Sequence, residues 1–384
     1  MTAADSRDQR RVGIVVTTIN DGSFLDSYVK AITAESAEST TSLFVIPDLN
    51  TPAALHEKCA EVARLGIHVE CPTVPEQDAF LKRLGEIQHI IPYNSDNRRN
   101  VGYLMALQHG SDIVVSVDDD NYPRDGERFL ENHMNVGRVV REEAVHASEG
   151  WFNICDLMTV DPPTTYPRGY PYSRRHQASQ VKRQVEEGEV HVNAGLWLGH
   201  PDVDAINCLA APVHASAFLG RSILLGAGTW SPINSQNTAI KREAVAAYYF
   251  FKMGHPVLGD LAIERYGDIF SGYFVQACAH HLGKRVRVGT PVVDHVRNSH
   301  NYLRDLSGEL AGILMLEEVT RWLATVKLNG DTYAQAYLSL AEQLEDAVEG
   351  FRGYIWNDAA RAYFHAMGYN MRAWVKAVVE VGGA

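Results

Sequence analysis

No apolar run in this 384-residue chain approaches the ~20 residues that a membrane-spanning helix requires. The amino terminus, MTAADSRDQRR, is polar, with no apolar signal-peptide core behind it. Cysteine is scarce. The five present (Cys59, Cys71, Cys155, Cys208 and Cys278) are odd in number and lack C-x-x-C spacing, which fits reduced thiols in a cytoplasmic protein. Positive charge is in deficit: 35 Lys and Arg against 47 Asp and Glu give a formal charge of −12. That balance argues against general nucleic-acid binding and against an anionic membrane surface, so any basic ligand site is expected to be local. No G-x-G-x-x-G follows the first apolar strand, and a dinucleotide cofactor such as NAD is not expected. Internal repeats and low-complexity linkers are absent as well. What remains is an ordinary globular composition, 46% hydrophobic and 21% charged. The length suits one large α/β domain with an appendage, or two domains.

The most informative stretch is Ile113–Tyr122, IVVSVDDDNY. Its β-branched run reads as a strand buried on both faces, and it delivers Asp118, Asp119 and Asp120 to one sheet edge, where α/β proteins place ligands. Three adjacent carboxylates repel one another unless a cation or basic side chains compensate. A divalent cation carrying a diphosphate does so, since Mg²⁺ and Mn²⁺ prefer carboxylate and phosphate oxygens. An acidic turn capping the next segment is the plainer alternative.

In chain order, RVGIVVTT (11–18) is a first buried strand, with Thr17, Thr18 and Asn20 at its carboxyl end as candidates for a nucleotide base or ribose. A helix over 24–34 leads to a strand over 42–47 that ends at Asp48, a further nucleotide candidate. Helical periodicity over 52–65, stopped at Gly66, precedes a short strand over 67–70. This alternation predicts a parallel, Rossmann-like sheet. In IIPYNSDNRRNVGYLMALQH (90–109), Asn94 lies in a turn, and Arg98 and Arg99 fall in a helix's first turn. Cations there oppose the helix dipole, so two of them point to an outside anion, for which guanidinium suits phosphate.

Further on, the pattern predicts a helix over 127–145 and a strand or extended run over 151–160. YPRGYPYSRRHQ (166–177) is a basic, aromatic loop, with Arg168, Arg174 and Arg175 placed to clamp a diphosphate or sugar. The segment 190–201 reads as a strand into a turn, and 222–237, with Trp230, as a substrate-facing loop. Asp268 opens a helix in YGDIFSGYF (266–274), where a helix cap is the simpler role. VRVGTPVVDH (286–295) is a last strand, ending near Asp294, His295 and His300. A neutral imidazole there is a candidate third metal ligand. From 304 onward the pattern is helical, a segment for packing or homo-oligomer formation, which sets expected boundaries of 1–303 and 304–384.

Several of these motifs, in this order, resemble the reversibly glycosylated polypeptides, the family that contains plant UDP-arabinopyranose mutases, and the related bacterial GDP-sugar pyranose/furanose mutases. VSVDDDNY, RGYPYSRR, GLWLGHPDVDA, GTWSPINSQNTAIKRE, RYGDIFSGYFVQ and TPVVDHVRNSH carry the likeness over about 110–320. NRRNVGYLMA departs from the plant pattern and is closer to glycosyltransferase-like bacterial sequences. The resemblance implies a GT-A-like fold, a nucleotide-sugar substrate, and Mn²⁺ or Mg²⁺ dependence without flavin. It places the acidic metal motif on Asp118, Asp119 and Asp120, and the arginine linked to reversible sugar attachment on Arg168. A second functional arginine falls on Arg175, a helix-start carboxylate on Asp268, and a strand-end histidine on His295.

The expected chemistry is a change of ring size by cleavage and re-formation of the anomeric C–O bond to the diphosphate. Asp118 and Asp120 hold the metal, Arg98 or Arg99 and Arg175 steady the diphosphate, and Asp268 moves a proton. Trp230 and Asp119 face substrate in this reading, with GDP favoured over UDP from the bacterial branch. A metal-dependent glycosyltransferase that uses the same residues stays open, as does a non-catalytic nucleotide-sugar-binding protein.

Overall fold

The computed structural model describes residues 9–177, 179–297 and 301–383. Its amino-terminal part alternates strands and helices: β1 (Val12–Thr18), α1 (Leu25–Ala34), β2 (Thr41–Pro47), α2 (Ala54–Ala63), β3 (His68–Glu70), α3 (Val74–Arg83), α4 (Arg99–His109) and β4 (Ile113–Val117). The four strands lie in the order β3-β2-β1-β4, all parallel. Every residue of β2 and β4 is buried, as their unbroken apolar runs require. Helix α4 lies tight on this sheet because position 102 is glycine. A Cβ there would stand 2.4 Å from Val15 Cγ1 and 3.0 Å from Ile46 Cγ1. That close approach brings Arg99, at the helix start, to the end of β4.

The middle of the chain adds β5 (Asn121–Pro123), α5 (Phe129–His133), β6 (Val139–Ala147), β7 (Met158–Asp161), β8 (Val181–Gly199), α6 (Ala205–Ala210), β9 (His214–Phe218) and β10 (Ile223–Leu225). Then follow β11 (Asn237–Lys241), β12 (His255–Leu258), β13 (Leu261–Ile263), α7 (Gly267–His281) and β14 (Arg285–His295). Strand β11 runs antiparallel between β4 and β8, and β14 runs parallel to β8. Strands β1, β2, β3, β4, β8 and β14 therefore share one direction. The sheet is mixed but mostly parallel and flanked by helices, an α/β architecture. The strands' carboxyl ends open on one edge, and β5 folds back beside the end of β14, pairing Asn121 with His295.

Two expectations are corrected here. The segment 127–145 is not one helix: it holds the five-residue α5 and then strand β6. The charges of β6 are matched across the sheet, Arg287–Glu142 at 2.8 Å and Arg183–Glu143 at 2.6 Å, so cross-strand pairing overrides local helical preference. The segment 222–237 is not all loop, since β10 lies within it, parallel to β6. At the carboxyl end come α8 (Tyr302–Leu323), α9 (Tyr333–Val348) and α10 (Asp358–Glu380), whose N-caps Asn301, Thr332 and Asn357 each accept a backbone N–H. Their apolar faces join the same buried cluster as the sheet, and the Trp374 indole N–H donates to the Val245 carbonyl at 3.0 Å. Among the described residues no helix is long and apolar enough to cross a membrane.

Helix α5 ends at a buried imidazole that ties two strands together. His133 Nε2 lies 2.9 Å from Asn237 Oδ1, and Nδ1 lies 3.2 Å from Asn193 Nδ2, a pair of contacts that a neutral ring satisfies. Burial, assisted by Arg287, depresses its pKa to about 3 against the pull of Asn237. The unfolded chain takes up a proton here near pH ~6.5 and the native protein does not until far lower, so stability falls with acid by up to about 1.4 kcal/mol per pH unit. Chemical denaturation at pH 7 and 4.5 is expected to show a loss about 2–3 kcal/mol larger for the wild type than for His133→Gln. Equal losses contradict the assignment.

Candidate active site

At the carboxyl edge of the sheet lies a cleft of about 420 Å³. Thr17, Thr18, Asp48 and Asn94 border one part of it, at the ends of β1 and β2 and the turn before α4. Arg98, Arg99, Asp118, Asp119, Asp120 and His295 border the middle, and Arg168 and Asp268 the far wall. Thr17 and His295, 278 positions apart in sequence, border the same cleft at the ends of β1 and β14.

The three carboxylates after β4 are drawn in three directions. Asp118 Oδ1 accepts from Arg99 Nη2 at 2.5 Å. Asp119 Oδ2 accepts from Thr18 Oγ1 at 2.5 Å and from Asn20 Nδ2 at 2.8 Å, and Asn20 itself is exposed and outside the cleft lining. Asp120 Oδ1 accepts from Asn121 Nδ2 at 2.9 Å, and its Oδ2 lies 3.3 Å from His295 Nε2. Burial pushes Asp118 up to about 6 despite Arg99, with Asp120 adding repulsion. Burial also raises Asp119. Asp120 is opposed by the same desolvation, yet the His295 hydrogen bond and charge hold it below the ordinary carboxylate range. One arginine and one histidine thus only partly offset three desolvated carboxylates.

This donor set fits a hard divalent cation. Asp118 and Asp120 offer carboxylate oxygens, and His295 has its Nδ1 fixed by the His200 carbonyl, which aims Nε2 at Asp120. His300 lies outside the described residues.

The two arginines before β4 part company. Arg99 turns into the cleft, bonded to Asp118, Ser235 and Thr17. Arg98 turns to Gln77 Oε1, at 3.0 and 2.6 Å, and is 1% exposed. The countercharge that explains Arg99 is an internal carboxylate, which sequence spacing does not reveal. Asp48 is likewise engaged: its Oδ2 accepts the Ser95 N–H at 3.1 Å, and Asn94 Oδ1 accepts from Asn50 at 3.0 Å.

Arg168 is the most constrained side chain in the cleft. Nε and Nη2 donate to Asp202 at 2.8 and 3.0 Å, and Nη1 and Nη2 donate to Asp268 at 3.1 and 2.9 Å. Nη1 also donates to the Arg265 carbonyl, so all five guanidinium N–H groups have acceptors. Burial opposes this charge, but the two aspartates hold its pKa well above the ordinary arginine value. Asp268 follows Gly267 inside α7, whose N-cap is Tyr266, so it is not the cap. Asp202, which also accepts from Asn234 at 2.7 Å, went unnoticed in sequence although it lies in GHPDVDA just past β8. Asp96 lines the cleft too, as do Arg265 and Arg297, which lie within RYGDIFSGYFVQ and TPVVDHVRNSH but were given no role there.

Two further expected site residues do not reach it. Arg175 reaches back to Asp204 at 2.6 Å and lies over the Tyr172 ring, 3.7 Å from its centroid. Trp230 is 6% exposed and packs edge-on against His280 at 4.7 Å. Its apolar surface is spent in the core.

Removing Arg168 strands two buried carboxylates against each other. Arg168→Ala is expected to cost about 3–5 kcal/mol of unfolding free energy, and Arg168→Lys less, because one ammonium keeps the charge but cannot span both partners. Denaturant melts check the order, and an Arg168→Ala variant as stable as the wild type contradicts it.

Comparison with known proteins adds the family. UDP-arabinopyranose mutase 3 of Arabidopsis thaliana is 29% identical over 311 residues, covering 78% of this chain and 76% of that protein. The probable UDP-arabinopyranose mutase 1 of Solanum tuberosum is 28% identical over 308 residues, with 78% and 75% covered. Among solved structures, the mannosyltransferase PcManGT from Pyrobaculum calidifontis, in complex with GDP-Man and Mn²⁺, superposes at a TM-score of 0.41 with 13% identity, over 97% of this chain and 87% of that one. The sequence profile of the reversibly glycosylated polypeptides matches residues 9–383, and the chain belongs to that family.

Proposed function

We propose that the cleft binds a nucleoside diphosphate sugar and interconverts its pyranose and furanose forms by breaking and re-forming the anomeric C–O bond to the diphosphate. The observation that carries this reading is the meeting, in one cleft, of a partly compensated aspartate triplet with the Arg168–Asp268 pair. Family membership and relatives named UDP-arabinopyranose mutase support it. Thr17, Thr18, Asp48 and Asn94 stand where the nucleoside enters, at the open ends of β1 and β2. Asp118 and Asp120, with His295, would hold Mn²⁺ or Mg²⁺, which supplies charge neutralisation and Lewis acidity at the leaving diphosphate. Arg99 sets the position of Asp118 and keeps a fixed positive charge beside the phosphates.

Asp268 is the proton acceptor and donor for the sugar hydroxyls as the ring opens and recloses. Arg168 orients it. With all five N–H groups engaged and its proton strongly held, Arg168 offers no lone pair for attack on the sugar, so we assign it as a clamp rather than a nucleophile. The relatives' names point to a UDP-linked pentose, and the bacterial branch of the resemblance to a GDP-linked L-hexose. No flavin or NAD enters this scheme. Residues 1–303 form the catalytic unit and 304–384 a packing and self-association unit in a cytoplasmic protein.

Purified protein with Mn²⁺, given UDP- and GDP-linked pyranoses and no acceptor, is expected to yield a product of unchanged mass that reverts on re-incubation. Asp268→Asn is expected to slow this about 10²–10⁴-fold. Only starting material or free nucleoside diphosphate across the panel contradicts the mutase reading and favours transfer to an acceptor.

A further inference from the structure

At the opposite edge of the sheet, three side chains converge that the cleft chemistry does not use. His68 and Glu70, two apart on β3, share one face of that edge strand. His109 is the last residue of α4, above the same face. Glu70 Oε1 lies 3.2 Å from His68 Nε2 and 3.7 Å from His109 Nδ1, and the three ligand atoms all fall within 4.8 Å of one another. Ligands about 2.0–2.2 Å from a tetrahedral cation sit about 3.4 Å apart, so the two separations bracket that spacing. The imidazoles stack at 4.2 Å and 18°, so one ring turns about its side-chain bonds to bring both lone pairs onto one ion, and both rings lie against Phe44, at 6.4 and 5.8 Å.

The outer contact is also in place. His109 Nε2 lies 3.2 Å from Ser42 Oγ. When that nitrogen gives its hydrogen to the hydroxyl, Nδ1 presents its lone pair on the Glu70 side, the tautomer that a metal ligand needs. A groove of about 390 Å³, bordered by Glu70, His109, Glu76 and Arg83, gives water access to a fourth position.

We propose that His68, Glu70 and His109 form a metal site distinct from the aspartate triplet, for a divalent cation of the Zn²⁺ class with water as the remaining ligand. Two imidazoles and one carboxylate suit Zn²⁺, Co²⁺ or Ni²⁺, whereas the carboxylate-led set of Asp118 and Asp120 with the single imidazole of His295 suits Mg²⁺ or Mn²⁺. The bound ion ties edge strand β3 to the end of α4, the helix whose other end holds Arg99 against Asp118.

The test titrates chelator-treated full-length protein with Co²⁺ in excess Mg²⁺, then displaces it with Zn²⁺. One equivalent with visible bands of low-coordinate cobalt is expected, unchanged in Asp118→Asn/Asp120→Asn. Binding is expected to weaken more than about tenfold in His68→Gln/His109→Gln. Zn²⁺ is expected to raise the melting temperature of the wild type but not of the histidine variant. If the double variant melts well below the wild type without metal, the single variants His68→Gln and His109→Gln carry the comparison. Absence of the bands, their survival in the histidine variants, or their loss in the aspartate variant overturns the proposal.

Discussion

The site rests on one electrostatic constraint: three carboxylates emerge from a strand buried on both faces, and the fold must compensate them. Arg99 answers Asp118 at 2.5 Å, His295 answers Asp120 at 3.3 Å, and Thr18 with Asn20 holds Asp119. Each partner arrives by a different structural route. Helix α4 approaches closely enough only because Gly102 has no side chain to meet Val15. His295 arrives because β5, the strand directly after the triplet, pairs with the end of β14. The first strand supplies the third set through its parallel register with β4. Burial, with repulsion from Asp120, raises Asp118 to about 6 against the pull of Arg99, and the incompletely compensated cluster is receptive to a cation.

A second charged network stands across the cleft and follows the opposite logic. Arg168, Asp202 and Asp268 place two negative charges around one positive charge with every guanidinium donor used. Buried ion pairs of this kind seldom add stability over apolar packing, because desolvation cancels much of the attraction. Their value here is position. The loop that carries Arg168, the turn past β8 and the start of α7 are locked together at the wall that faces the aspartate triplet. Asp268 is thereby held at a fixed place and orientation in a water-accessible cleft.

Much of this was legible in the sequence, and for physical reasons. Strands β1, β2 and β4 announce themselves because burial on both faces demands unbroken apolar runs, and the triplet stands out against them. Asp268, Arg168 and His295 were legible through the family likeness and converge as separate elements can only in three dimensions. Strand β6 reads as a helix in the sequence because its partners, Arg287 and Arg183, are remote along the chain. Trp230 and Arg175 looked exposed among glycines and prolines, yet each finds a remote partner, His280 and Asp204. Asp202 was overlooked because a strand-end aspartate has no distinguishing neighbour until Arg168 folds onto it.

The central claim is that the aspartate triplet is a cation seat for a nucleoside diphosphate. Electron paramagnetic resonance of Mn²⁺ during titration with UDP or GDP, for the wild type and for Asp118→Asn/Asp120→Asn, tests it most directly. One Mn²⁺ bound together with nucleotide is expected in the wild type, and loss of both from the variant while its circular dichroism shows that it stays folded. Nucleotide binding that needs no metal and is indifferent to the two substitutions would contradict it.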